Sequence, residues 1–457
     1  MDPSKEYLTH AGEYKLETLE ILSQNTGEFA DITAFMLEIN LYEDLFSSCM
    51  TGSLIIADAA NLISNLPILG NELLRMKFRT PTLEDTPTNV ISKTFQIYAI
   101  YDRILNDDRS QYYNISFVSL EGHEDQTTVI KKAYKGTTEE IAKDIYEEFI
   151  QLDKSLVVLD TPHVSKVKYT SNHWSPFKNM NFLTRRSKGS KLEGSDYLFY
   201  ESNKSFYFAS IEGLIYSQRR DGVFDEYVFE RQGAGMPRRI SDLNYVGNRL
   251  PDSLTAIEDI KMLTTLDTMA GNNSGAFSAS GVGYDFLSKK IVNESLDYFA
   301  AMKDFVKTGP FSTIPDTLKR NPLANKTFYA HNSALHNDFG ISSEEGVPQG
   351  TDTIVSKSVN RRFYMNTFEN NKMQLTLPGR TDIEVGVLIN ILYPSSEAPN
   401  EDESTQLDPL LSGLYIISAI HHKFNTDRHI MIAEAIKNGY SNSPNNYALQ
   451  EEEVNVS

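Results

Sequence analysis

KMQLTLPG (Lys372–Gly379), VGVLINILYP (Val385–Pro394), GLYIISAIHHKF (Gly413–Phe424) and RHIMIAEAI (Arg428–Ile436) follow one another near the C-terminus. These runs are rich in aliphatic and β-branched residues, and Gly, Pro, Asn or Asp stands at each junction. They read as four strands. The acidic loop APNEDESTQLDP (Ala398–Pro409) parts the second from the third and should be solvated. Just upstream, NRRFYMNTFENN (Asn360–Asn371) reads as a helix.

The same β signal opens the chain. ADITAFMLEINLYEDL (Ala30–Leu45), the polar turn SSCMTGS and LIIAD (Leu54–Asp58) make a hairpin. A short helical bridge, AANLISNLPILGNE, leads to LLRMKF (Leu73–Phe78). KTFQIYAIYDRILND and SQYYNISFVSL then flank the turn Asp107–Arg109. Five or six hairpin-linked strands predict a small antiparallel barrel or sandwich.

Between the two β regions the period changes. Thr137 and Glu140 have capping-box spacing ahead of EEIAKDIYEEFIQL, whose Ile141, Ile145, Phe149 and Ile150 share one side of a helix. A second helix is expected to start at Pro176, and YLFYES with FYFASIEGL is expected as a hairpin turning at Asn203-Lys204. This small α+β unit ends near the charged turn Arg219–Gly222. Beyond Asp225 the pattern loosens. ISDLNYVGNRLPDSLTAIEDIKML has room for a helix, and AGNNSGAFSASGVG (Ala270–Gly283) reads as a loop or bulged strand. SNSPNNYALQEEEVNVS (Ser441–Ser457) carries no core pattern and reads as a flexible tail.

Composition bounds the function. The 457 residues suggest about three domains. A net charge of −19, from 43 basic and 62 acidic residues, repels phosphate and disfavours conventional nucleic-acid binding. The aromatics are lopsided, with 24 Tyr and 24 Phe against one Trp, which suits strands and interfaces. The N-terminus has no apolar signal-peptide core, and no apolar run approaches the ~18 residues of a membrane helix.

Candidate chemistry is sparse. Cys49 stands alone, so no disulfide framework or Cys-based zinc site is available, and a small buried residue is the reading. His421, His422 and His429 look like a metal cluster. Adjacent strand residues point to opposite faces, however, so at most one of the first two can face His429. His123-Glu124-Asp125 has the composition of an acid/base group but lies in what reads as a polar turn. Gly233-Ala234-Gly235 lacks a third Gly and a following Lys-Ser/Thr, so it is a turn and not a phosphate loop. Arg185 with Arg186, and Arg238 with Arg239, are basic pairs able to clamp carboxylates or simply to face solvent. No GxSxG or HExxH occurs. No catalytic, cofactor-binding or metal residue is assigned, and no cofactor is expected.

Four segments in order carry a resemblance. They are Ile39–Phe78, with a strand, an acidic turn and a Thr51-Gly52 return strand; His173–Leu214; Gly275–Met302, read as a strand pair returning to a second barrel; and Met373–Gly439, with a Pro-Gly turn, Val385-Gly386, Ser412-Gly413-Leu414-Tyr415 and a closing hairpin. Together they resemble the baseplate hub proteins of contractile-tailed bacteriophages, which are similar to the hub part of type VI secretion spike proteins.

The resemblance implies an α+β, mainly β chain. Two tail-tube-like antiparallel β-barrels are expected, the first in 1–130 and the second split between 222–302 and 356–440. A small α+β domain occupies 131–221, a loop-rich insertion 303–355 and an acidic tail 441–457. It further implies a homotrimer forming a pseudo-sixfold ring. The ring's partners are the central spike, the tail tube or its initiator and neighbouring baseplate proteins. DNA passes through without sequence-specific binding, no membrane segment is involved, and the site is the virion tail, assembled in the host cytoplasm. The competing readings are a glycan-binding adhesin, which needs an aromatic groove, and a tail-associated peptidoglycan hydrolase, which needs an acid/base pair in a cleft.

Overall fold

The computed structural model describes residues 10–229, 254–313, 326–332, 354–395 and 407–441, apart from short stretches within those ranges. The turn Asp107–Arg109, Gly233–Gly235, Arg238 with Arg239, most of 303–355 and of 398–409, and the tail after Ser441 lie outside the described residues. The chain is mainly β, as expected.

Six strands build the N-terminal half: β1 (Lys15–Leu22), β2 (Met36–Asp44), β3 (Thr51–Asp58), β4 (Leu73–Arg79), β5 (Val90–Leu105) and β6 (Gln111–Ser119). They pair antiparallel in the order β1-β4-β5-β6-β3-β2. Alternation drives this: along β3 every second residue is buried, from Gly52 to Asp58. A short strand, Phe29–Asp31, pairs with the end of β1, and a 3-10 turn at Thr33–Phe35 then bends the chain into β2. The expected hairpins are present. β1 was not anticipated, since KLETLEIL is broken by charges on its half-exposed face.

The middle segment is α+β. Ala133–Thr137 pairs with Lys166–Thr170, and Tyr197–Glu201 forms a hairpin with Phe206–Ser210, which also takes Leu156–Leu159 in parallel. The capping box forms: Thr137 accepts from the Glu140 amide, and the Glu140 carboxylate accepts from the Thr137 amide. The helix Pro176–Thr184 starts where expected, with Ser175 as its cap. Two readings need correction. The second hairpin strand stops at Ser210, whose hydroxyl caps a helix over Ile211–Asp221. The charged turn is the end of that helix, with Gly222 at φ +70° in the left-handed cap position.

The C-terminal half contributes β7 (Asp225–Phe229), β8 (Asp259–Thr264), β9 (Lys372–Pro378), β10 (Leu388–Leu392), β11 (Gly413–Asn425) and β12 (His429–Ile436). The helix expected over Asn360–Asn371 is present but runs over Ile354–Phe368, beginning six residues earlier. ISDLNYVGN and the residues to 253 lie outside the described residues; from Ala256 the chain is extended rather than helical. The strand pair Ser278–Asp285 and Lys290–Asp297 does not return to this half. With Lys326–Asn332 it makes a separate three-stranded sheet, because Gly281 lets Val355 and Val359 of the helix pack directly over it.

Both halves belong to one continuous sheet of 14 strands, counting Phe29–Asp31 and Ala256–Ile257. Its pairing path is open, so the described residues show a continuous sheet and not two closed barrels. The link is β11. Its Phe424 is fully buried in the core of the N-terminal half, stacked 4.1 Å from Phe78 and 5.3 Å edge-on from Tyr14.

Phe424→Ala should therefore cost about 3–5 kcal/mol, the range for emptying a buried aromatic site. Chemical denaturation should also show the N-terminal half loosened although the substitution lies in the C-terminal half. Unfolding within 1 kcal/mol of the parent would contradict this packing.

Candidate functional site: the joint between the two halves

β11 uses one edge twice. Gly413–Ile416 pair with β10, and Ala419–Asn425 pair antiparallel with β2, while the other edge runs along β12. A register irregularity between Ile417 and Ala419 marks the change of partner.

The histidines sit on this strand and separate as strand alternation requires. His421 points outward, stacked 4.6 Å from Tyr42, with its Nε2 2.6 Å from Asn40 Oδ1. His422 points inward and is fully buried; its Nδ1 lies 3.1 Å from His429 Nε2, and its Nε2 3.5 Å from Glu43 Oε1. Burial, then repulsion by His422, holds His429 well below the usual imidazole range, so it is neutral at pH 7. A Cβ on Gly379 would stand 2.0 Å from His429 Cγ, so only glycine fits there. The group is a buried pair with one carboxylate at its edge. Among the described residues no cluster of three His, Cys, Asp or Glu is arranged to hold a metal.

Around the joint the three parts of the chain meet through buried charge. Glu201 of the middle segment pairs with Lys93 of β5 and, at 3.2 Å, with Lys154, and it accepts from the Met50 amide at 2.8 Å. Burial, then Lys93, pushes Lys154 well below the usual lysine range. Glu384 accepts from Ser202 Oγ at 2.6 Å and Tyr207 OH at 3.2 Å. Arg380, 1% exposed, grips Asp382 through two nitrogens at 2.7 and 3.0 Å and reaches Asp225 at 3.0 Å. Breaking any of these would leave a buried charge uncompensated, so they fix how the parts sit.

A second polar centre lies beneath the helix Ile211–Asp221. Asp196 and Glu212 are both buried, and the Glu212 amide donates to Asp196 Oδ2 at 3.0 Å. Asp196 Oδ1 and Glu212 Oε2 both lack a hydrogen-bond partner, and both flank Gly194, where a Cβ would sit 2.5 and 2.0 Å from them. Burial, and the neighbouring Asp196, push Glu212 up to about 9; burial pushes Asp196 up to about 6. Between about 6 and 9 the proton therefore stays on Glu212. The two carboxyls face the protein interior and not a cleft, so the proton serves cohesion.

The other candidates resolve simply. His123, Glu124 and Asp125 lie on a helix, Leu120–Thr127, and not in a turn. Asp125 accepts from the Phe177 amide at 2.6 Å and so anchors the helix Pro176–Thr184. Burial, then Asp125, raises the Cys49 thiol, which makes it a poor nucleophile. Arg186 lies 3.5 Å over the Phe182 ring, while Arg185 is exposed. Lys93, Glu201, Asp196 and Glu212 were missed by the sequence reading. Their only signal is a charged residue inside or beside an apolar run, as in VISKTFQI and YLFYE.

The carboxyl pair gives a pH test with a definite sign. Folded Glu212 keeps its proton up to about 9 while the ordinary value is 4.5, so the folded chain binds the extra proton between those limits. Its contribution is full below the lower value and is lost as pH rises through the upper one. Glu212→Gln keeps the acceptor for the Val306 amide, so the alkaline fall in melting temperature should flatten. An unchanged slope between about pH 6 and 9 would remove the proton held on Glu212 from the account.

No family model and no curated protein matches this chain. Among solved structures it is similar to the tail protein from Neisseria meningitidis MC58, with a TM-score of 0.52 at 9% identity over 93% of this chain and 96% of that one. The 43 kDa tail protein of prophage MuSo2 from Shewanella oneidensis gives 0.48 at 8% identity, covering 92% and 98%. A prophage tail protein from Listeria monocytogenes EGD-e gives 0.46 at 9%, covering 96% and 99%. The last two fall too low to carry weight. The first matches nearly end to end, so the chain shares the fold of that tail protein.

Proposed function

We propose that this chain is a structural, non-enzymatic subunit of a contractile-phage baseplate hub. Three copies form a pseudo-sixfold ring that joins the sixfold tail tube to the threefold spike and lets DNA pass. The observation that carries this reading is a duplication of strand order. Across the N-terminal half the pairing order is β1-β4-β5-β6-β3-β2; across the C-terminal half it is β7-β10-β11-β12-β9-β8.

Each half also has a bent segment that reaches both sides. Phe29–Asp31 lies on β1 before the chain turns into β2. Ala256–Ile257 lies on β7 before the chain passes Glu258, whose amide donates to Thr376 O at 2.9 Å, into β8. Such corners are what curling each half into a tube-like barrel requires. The pairing irregularity after Ile97 on β5 matches that after Ile417 on β11. One strand departs: β7 is parallel to its neighbours where β1 is antiparallel.

Two like units per chain make six around a threefold ring, which is what a sixfold-to-threefold adaptor needs. On this reading the barrels lie in 1–130 and in 222–302 with 356–440, less the separate sheet of Ser278–Asp285 and Lys290–Asp297, the α+β domain lies in 131–221, and spike, tube and baseplate neighbours are the partners. The charge of −19 suits a bore that DNA crosses without sticking. No helix among the described residues is long and apolar enough to cross a membrane.

The test is native mass spectrometry and electron microscopy of the full chain, alone and with the tail's spike protein. A threefold ring with six similar lobes around one bore is expected. A chain that stays monomeric under every such condition overturns the reading.

A further inference from the structure

The duplication has a consequence at the sheet's free edges. Inside the chain the halves are joined where the C-terminal part of β11 lies on β2, with Phe424 opposite Ile39 and His421 opposite Tyr42. In the duplicated order β5 stands where β11 does, and β8 stands where β2 does. The equivalent joint would therefore lie between β5 and β8. Within one chain these strands do not pair, and among the described residues no strand covers either edge.

Their exposure is what a missing neighbour would leave. At the internal joint Phe424, His422, Ile39 and Leu41 are all 0% exposed. On β5 Leu105, which stands where Phe424 does, is 77% exposed, and Ile104 beside it is 61% exposed. On β8 Met262 is 36% and Leu263 43% exposed. β4 covers β5 only as far as Gln96, so the backbone beyond Ile97 has β6 on one side and a free edge on the other. A long apolar open edge is a template for another strand, and proteins that stay soluble cover or blunt such edges.

We propose that the internal joint is repeated between copies: the outer edge of β5, Tyr98–Leu105, pairs antiparallel with the outer edge of β8, Asp259–Thr264, in the next subunit. This rests on the hub-ring reading and names its interface. The partner is a second copy because the two edges are related as β11 is to β2, and they lie on different halves. A head-to-tail contact of this kind generates a ring when its rotation closes, which the threefold hub reading supplies.

The register follows from matching ladders. Leu105 pairs with Gln111 as Phe424 pairs with His429, and Ile260 pairs with Leu375 as Ile39 pairs with Leu54. Leu105 should thus face Ile260 of the neighbour, and Tyr101 should face Thr264.

Directly opposed antiparallel residues have Cα atoms ~4.5–5.5 Å apart, within disulfide reach. In a Cys49→Ser background, Leu105→Cys combined with Ile260→Cys should give, on mild oxidation of the full chain, reducible bands at two and three chain masses. Either cysteine alone should stay at one chain mass, and so should Leu105→Cys with Thr264→Cys, which is four residues out of register. A second variant, Ile104→Asp with Leu105→Asp, changes only exposed positions. It should keep the parent circular dichroism and melting temperature while weakening ring formation at least tenfold. A threefold ring that forms but does not cross-link, or that survives the aspartates, overturns this interface and leaves the hub reading standing. Cross-linking that stops at dimers means a two-fold contact and overturns both. So does a chain that never forms a ring with or without the spike.

Discussion

Seven residues of one strand hold the architecture together. Ala419–Asn425 satisfy their backbone on both sides, against β12 of their own half and against β2 of the other. An unpaired buried backbone group costs as much as a lost hydrogen bond, so neither half can drop this strand without exposing an edge. Side chains reinforce the ladder. Phe424 fills the N-terminal core, and the His422–His429 pair fills the seam so closely that Gly379 has no room for a side chain.

The buried charges follow from that joint. Once the sheet runs through both halves, the middle segment packs against it with its polar hairpin turn, where Glu201 meets Lys93 and Lys154, and Ser202 and Tyr207 meet Glu384. Desolvated pairs of this kind add little net stability compared with apolar packing, but they tolerate few alternative arrangements. A subunit that must present surfaces at fixed angles gains from such intolerance. The same burial accounts for the perturbed carboxyls and lysines: sealing them among apolar neighbours disfavours their charged forms.

Much of this was legible in the residues. Period-two alternation and turn residues exposed the strands of both halves, and the Thr137–Glu140 spacing located a helix start to the residue. Alternation also sorted His421 from His422. What stayed hidden has physical causes. β1 reads KLETLEIL, where Lys15, Glu17 and Glu20 pair with or lie beside Arg79, Lys77 and Arg75 across the ladder, so charge masks a strand that is stabilised by charge. IEGL after FYFAS continues an apolar run, and only the Ser210 hydroxyl, free to cap, turns strand into helix. Gly281 reads as loop composition, yet its missing side chain is what admits the helix above it. Glu212 and Asp196 come together only through tertiary packing, which no local spacing records.

Timing is the remaining consequence of the shared strand. β2 and its partner in β11 are separated by about 380 residues, so at the usual 5–20 residues per second roughly 20–80 s of synthesis part them. Throughout that interval the N-terminal half has an open edge at β2 and an unfilled core position that Phe424 will take. It can collapse but not finish. Completion waits for nearly the whole polypeptide, and a nascent fragment offers neighbouring fragments an edge that the mature subunit keeps for itself.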